Sequence, residues 1–173
     1  MENHSSSISR DHRMRQGMDF SLLKGSPHIF TTNFLAMITA KITEQVIDTN
    51  ALTLTVQDLA SGAVVTFDGR VRNHDKEKKV EKLQYEIHPS APQVLKKLIH
   101  EIAAKYEVIN TVAVHRFGYI PIGESAFFVA VSAAHRDPAL RCCEEIVERV
   151  KAELPIWKYQ EFSDGNSEWV NSA

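Results

Sequence analysis

Cysteine is scarce in this chain. The two that occur, Cys142 and Cys143, are neighbours in a sequence of 173 residues. Adjacent cysteines rarely meet disulfide geometry and no second pair exists, so a secreted disulfide scaffold is set aside and a reducing cytoplasm is the expected location. The eight histidines are scattered, with neither H-x-x-x-H nor Cys/His spacing, which leaves a zinc site without support, and no metal is expected. No apolar run approaches the ~18 residues of a membrane helix. The N-terminus lacks the charged start and continuous apolar stretch of a signal peptide. Basic charge is not in excess either: 20 Lys and Arg face 22 Asp and Glu, for a net charge of -2. That argues against a dedicated nucleic-acid binder, although a local basic pocket remains compatible with it. Internal repeats are absent.

What is present suits one globular domain. Hydrophobic residues make up 43% and charged residues 24% of the chain, an ordinary balance for a protein with a real core. Residues 1–36 differ from the rest: they are rich in Ser, carry Arg10, Arg13 and Arg15, and show neither helical nor strand periodicity. They read as a poorly ordered tail, as an organellar transit peptide weakened by Glu2, Asp11 and Asp19, or as an extension upstream of a start at Met37. The domain is expected over 37–173.

From Ile38 the pattern is regular. Alternation over Ile38 to Val46 predicts an edge strand, and Thr49 to Leu59 a short helix or a loop. Ala63 to Phe67 reads as a strand ending in a turn at Gly69. Asn73 to Lys79 reads as a charged loop, and Val80 to Ile87 as a strand. Ser90 is placed as the cap of a helix whose apolar face is Val94, Leu95, Leu98, Ile99, Ile102 and Tyr106. Val108 to Val114 and Ser125 to Val131 are strands, the second apolar on both faces and therefore central. Asp137 as N-cap and Pro138 as first helical residue start a second helix, with Leu140, Cys143, Ile146, Val147, Val150 and Leu154 as its core stripe. Pro155 ends it. Ile156 to Phe162 is the last strand, followed by a turn at Asp164-Gly165. The order β, β, α, β, β, α, β predicts an α+β fold, with two main helices covering a largely antiparallel sheet.

Four segments carry basic residues where a core or turn does not need them. Arg70 and Arg72 lie two apart after a strand, so in extended chain they share a face. Guanidinium groups bind phosphate or carboxylate in a planar, multidentate way. His135 and Arg136 stand where a strand gives way to a helix, a place that attracts anions, although Asp137 is expected to fill the cap itself. Lys151 borders the apolar stripe of the second helix, where partial desolvation would suit acid/base or nucleophilic work. Lys158 lies between Trp157 and Tyr159, on the opposite strand face from both rings. Taken singly, each segment reads equally as a solvated strand end, an ordinary loop, a snorkelling lysine or alternating strand packing. His115 and Arg116 read as structural, and Cys143 as core filler.

In combination the segments are far more specific. Gly62-Ala63-Val64-Val65-Thr66-Phe67-Asp68-Gly69-Arg70-Val71-Arg72-Asn73-His74, then His115-Arg116-Phe117-Gly118, then Val131 to Arg136, then Pro155-Ile156-Trp157-Lys158, in this order, closely resemble the large, catalytic subunits of molybdopterin synthase, the MoaE family. The resemblance runs from about Met37 to Val170. It implies an α/β-hammerhead and a heterotetramer in which a homodimer of large subunits carries a small ubiquitin-like (MoaD-type) subunit at each end. It implies a sulfurtransferase without a cofactor: the thiocarboxylate on the small subunit's C-terminal Gly-Gly tail gives sulfur to cyclic pyranopterin monophosphate, forming the molybdopterin dithiolene of molybdenum cofactor biosynthesis. It implies substrate binding by Arg70, Val71, Arg72, His135, Arg136, Lys151, Lys158, Tyr159 and Gln160, with Lys151 and Lys158 as the catalytic pair. The family usually reads Lys-Lys-Glu or Lys-Arg-Glu where this chain has Lys158-Tyr159-Gln160, and Asp68 stands where an uncharged residue is common.

Helix geometry adds one expectation. The fourteen residues from Asp137 to Lys151, at ~1.5 Å each, put His135 and Arg136 roughly 20 Å from Lys151. A single small pterin does not span that, so His135 and Arg136 are expected to serve the site of a dimer mate. The alternative reading is a non-catalytic module that binds a phosphate ligand or a ubiquitin-like tail.

Overall fold

The computed structural model describes residues 36–171. The tail expected over 1–36 lies, but for Ala36, outside the described residues. Twelve elements follow in order: β1 (Met37–Thr43), α1 (Thr49–Thr55), β2 (Ala63–Arg70), β3 (His74–Asp75), β4 (Lys78–Ile87), α2 (Ala91–Ala103), β5 (Asn110–Arg116), β6 (Gly118–Tyr119), β7 (Ser125–Ala133), α3 (Arg136–Glu153), β8 (Ile156–Phe162) and β9 (Ser167–Asn171). They form two sheets, one in the order β1-β5-β7-β2, the other β3-β4-β8-β9 with β6 added beside β4. The fold is the expected α+β hammerhead. Every pairing is antiparallel except β1 with β5.

The first sheet is the scaffold. β7 is buried along its whole length, because both of its faces are covered. Phe127, Val129, Val131 and Ala133 join the main core with α2 and α3, while Phe128 and Ala130 pack with Val112, Val114, Ile47 and Val56 beneath α1. That two-sided burial is what the unbroken apolar run Ala126 to Val131 requires. α2 contributes Leu95, Leu98, Ile99 and Ile102 to the main core, and α3 contributes Ile146, Val147 and Val150. The edge position expected for β1 is found.

Several local expectations change. β2 does not end before Gly69; it runs to Arg70, with a bulge between Gly69 and Arg70 against β7. The charged stretch from Asn73 is not a loop but a hairpin of β3 and β4. Its two turn residues, Lys76 and Glu77, both have positive φ (45° and 68°), as the primed turns that match strand twist demand. Ser90 occupies the N-cap of α2, yet its hydroxyl turns to His88 Nδ1 at 2.8 Å and caps nothing. α3 starts two residues earlier than expected: His135 is its N-cap, without a side-chain cap bond, and Asp137 sits in the first turn, paired with Arg141 at 3.1 Å. On α3 the buried stripe contains Cys142 as well as Cys143, whereas Leu140 is 53% exposed. β9 pairs with β8 beyond the expected last strand.

Candidate active site

The second sheet meets the end of the first over a cleft of about 460 Å³, within the range of small-molecule sites. Its walls come from far-apart stretches of chain: Arg70 and Arg72 at the end of β2, Asp75 on β3, Tyr85 on β4, Lys151 in the last turn of α3, and Lys158 with Gln160 on β8. Val71 is buried behind the two arginines, packed with Leu83, Ile120 and Ala126. The strand period explains β8. Lys158 and Gln160 point one way into the cleft, while Tyr159 points the other way and packs on Trp169, ring centroids 4.9 Å apart.

The cations are held in different ways. Lys158 is largely buried and its Nζ lies 3.3 Å from Asp75 Oδ2. Arg72 is exposed, with Nη2 3.9 Å from the other oxygen of the same carboxylate. Gln160, only 2% exposed, donates from Nε2 to Asp75 Oδ2 at 2.9 Å and lies 3.4 Å from Glu168 Oε1. The hydrogen bond from Gln160, and then the nearby Lys158 and Arg72 charges, hold the Asp75 carboxyl below the usual carboxylate range against the opposing effect of burial. Arg70 pairs with Asp68 at 3.0 Å, so the acid expected to temper the arginines does contact one of them.

Lys151 departs from expectation. It is exposed rather than partly desolvated, with Nζ 5.9 Å from the centre of the Phe67 ring, at the outer limit of cation–π contact. No carboxylate lies within ion-pair distance of it among the described residues. Lys151 is therefore a free ammonium at the cleft mouth, whereas Lys158 is a clamped one.

One chain thus brings together Arg70, Val71, Arg72, Lys151, Lys158 and Gln160. His135, Arg136 and Tyr159 do not line the cleft. His135 and Arg136 stand at the opposite end of α3 from Lys151, roughly 20 Å away along a continuous helix. Arg116 is the structural residue expected: it is 7% exposed, donates from Nε to Glu44 O at 3.2 Å, and pairs with Glu124. His115 is buried as well, but it borders the cleft. Asp75, Tyr85 and His115 were not singled out as site residues from sequence. Asp75 lies 83 residues from Lys158, and only the β3–β4–β8 pairing joins them. Among the described residues no group of three or more His, Cys, Asp or Glu is arranged to hold a metal ion.

Fold and cleft together define an α+β hammerhead protein with a cation-lined pocket for a small anionic ligand. Comparison with known proteins gives the family. The family model described as MoaE protein matches residues 42–153, and the chain belongs to that family. The molybdopterin synthase catalytic subunit of Oryza sativa subsp. indica is 38% identical over 111 residues, which are 64% of this chain and 58% of the rice protein. The chain therefore spans under two thirds of that relative's length. The crystal structure of molybdopterin synthase from Staphylococcus aureus is 37% identical, with a TM-score of 0.70, covering 76% of this chain and 96% of that one. A complex of subunits 1 and 2 of the molybdopterin-converting factor from Helicobacter pylori matches at 26% identity and a TM-score of 0.59, covering 79% of this chain and 90% of that one.

Proposed function

We propose that this chain is the catalytic subunit of a molybdopterin synthase, a sulfurtransferase acting on cyclic pyranopterin monophosphate. The observation that carries the reading is the cleft itself: two arginines and two lysines converge there, and one of the lysines has no counter-carboxylate. Family membership and the activity named for the rice and staphylococcal relatives support it.

In this reading Arg70 and Arg72 fix the cyclic phosphate. The terminal thiocarboxylate of a small ubiquitin-like subunit enters the cleft, and its sulfur forms a bond to a side-chain carbon of the pterin as that carbon's bond to oxygen breaks. Water then breaks the acyl–sulfur bond, and its oxygen stays on the tail as carboxylate. A second round installs the second sulfur. Lys151, exposed at the mouth and without a counter-carboxylate among the described residues, stabilises the negative charge that develops during attack and supplies a proton to the departing oxygen. Lys158, clamped by Asp75, presents a fixed charge to the incoming tail. The site is completed by His135 and Arg136 of a second copy of the chain, because one α3 helix cannot place both of its ends in one cleft. The complex of two different subunits found for the Helicobacter pylori relative supports the partnership with a small subunit.

A cytoplasmic location belongs to the same proposal. It is supported by two unpaired, buried thiols, which suit a reducing compartment. No helix among the described residues is long and apolar enough to cross a membrane. The domain is assigned to 37–173, with the preceding residues dispensable for catalysis.

The test is reconstitution. The purified chain, a thiocarboxylated small subunit and cyclic pyranopterin monophosphate should yield the dithiolene product. Absence of product with a partner shown to be competent overturns the assignment.

A further inference from the structure

The inner wall of the cleft holds a polar atom that the reaction as described does not use. His115, on β5, is 6% exposed and borders the cleft. Its ring is fixed by three contacts. It stacks on Phe127, with centroids 5.2 Å apart and planes 22° apart. It meets the Tyr85 ring edge-on, with centroids 5.3 Å apart. Its Nδ1 lies 2.8 Å from the carbonyl oxygen of Arg116.

That last contact settles the tautomer. A carbonyl oxygen only accepts, so Nδ1 carries the hydrogen and donates it. Arg116 cannot easily move to change this, because its guanidinium is tied to Glu44 and Glu124. Burial, only partly offset by the carbonyl bond, pushes the imidazole pKa down to about 4. At neutral pH the ring is therefore uncharged and Nε2 keeps its lone pair. No described residue bonds to Nε2. With Nδ1 turned to the backbone, the side of the ring that carries Nε2 is the one left for the cleft.

An acceptor that opens on the cleft can be met by a ligand or by water. The charged groups of the cleft do not duplicate it. The arginines and lysines offer donors only, and Asp75 is already engaged by Gln160 and Lys158. The surroundings of His115 are flat and apolar: Phe127, Tyr85, Phe67 and Ala126 all line the same cleft. A neutral acceptor among aromatic rings, deeper than a cationic rim, suits a planar heterocycle with an N–H on its edge and a phosphate at its far end.

We propose that His115 Nε2 accepts a hydrogen bond from a ring or amine N–H of the bound pterin, and so determines specificity for the heterocycle separately from the phosphate. The inference rests on the cleft being the pterin site. Burial alone would make His115 a packing residue, so the test reads the nitrogen directly.

In protein labelled with ¹⁵N-histidine, the Nε2 resonance of His115 should appear as an unprotonated nitrogen. It should move upfield on adding cyclic pyranopterin monophosphate and stay in place with saturating inorganic phosphate. In steady-state turnover His115→Phe, which keeps an aromatic ring but removes the acceptor, should raise KM for the pterin by about tenfold, the value of one hydrogen bond. Its kcat should stay within about twofold, and inhibition by inorganic phosphate should be unchanged. His115→Gln, whose amide oxygen can accept, should recover part of the loss. An active wild-type enzyme in which Nε2 does not respond to the pterin overturns the proposal whatever the variants do. So does a His115→Phe enzyme whose pterin KM is unchanged, or one whose phosphate inhibition weakens in parallel. A wild-type protein that neither binds nor sulfurates the pterin overturns the reading of the cleft as well, which separates the two failures.

Discussion

Replacing Gln160 with glutamate is the substitution that most directly probes how the cleft is organised. It restores the acid that MoaE sequences usually carry at this position, so by resemblance alone it should be harmless. The structure gives the opposite expectation. Gln160 Nε2 stands 2.9 Å from Asp75 Oδ2 and 3.4 Å from Glu168 Oε1. A carboxylate in its place would face two acids with no proton between them. Two unit charges ~3 Å apart repel by about 5 kcal/mol at an effective dielectric near 20. The protein can avoid that by binding a proton, which for a glutamate of ordinary pKa near 4.3 costs at most about 3.7 kcal/mol at pH 7. Attraction to Lys158 recovers part of either cost. Loss of a hydrogen bond to a charged acceptor alone accounts for about 1.5–3 kcal/mol. We expect Gln160→Glu to destabilise the domain by about 2 kcal/mol at pH 7, a fall in Tm on the order of 5–10 °C.

The pH dependence fixes the sign. In the variant the paired carboxyls have a raised folded-state pKa, so the folded state binds more protons than the unfolded one and stability falls as pH rises above about 4.3. In the wild type the Asp75 carboxyl is held low, so its contribution is present above about pH 3.9 and is lost as the pH falls below that. The gap in Tm should therefore be wide at pH 7 and close towards pH 4. Thermal melts of four proteins decide the matter: wild type, Gln160→Glu, Asp75→Asn and the double variant. An asparagine at 75 can donate to a glutamate at 160, so the double variant should regain most of the stability. Additivity of the two substitutions within about 0.5 kcal/mol would refute the reasoning, since it would show that positions 75 and 160 do not act on each other.

Lys151→Ala should leave Tm nearly unchanged, because the residue is exposed and its ammonium touches only the Phe67 ring at long range. Its turnover should fall by about 10²–10³, the usual size of losing one charge-stabilising donor, as read by single-turnover sulfuration. Dimers formed by mixing Arg136→Ala chains with Lys151→Ala chains should recover activity that neither parent shows, because one of their two sites is intact; no recovery despite proven exchange of subunits would favour a site within one chain. Gly62→Ala should cost about 1–3 kcal/mol in chemical denaturation, since a Cβ at position 62 would lie 2.3 Å from the carbonyl oxygen of Ala134.

The parts of this molecule that sequence discloses are those whose cause is local. Ala126 to Val131 is apolar at every position, and only a strand covered on both faces tolerates that; β7 is such a strand. The failures have causes that are not local. β3 and β6 are two residues long and exist because β4 is there to pair with them. Leu140 is the better hydrophobe, yet Cys142 is the buried one, because the face of α3 is fixed by packing against β2, β7 and α2 and not by which side chain is largest. The site divides along the same line. Arg70, Arg72, Lys151 and Lys158 are recognisable as cations out of place, whereas Asp75, which organises two of them, is one more acid in a charged stretch until the β4–β8 ladder sets it beside Lys158. That ladder also explains the departure at position 160. A glutamine there looks like a lost charge when position 160 is read against the family alone. Beside Asp75 and Glu168 it is the donor that two acids share, so positions 75 and 160 act together on the electrostatics of Lys158. Under the proposed function this gives the two lysines different parts: Lys158 is tethered before any ligand arrives, and Lys151 is the cation left free to follow the charge as it develops.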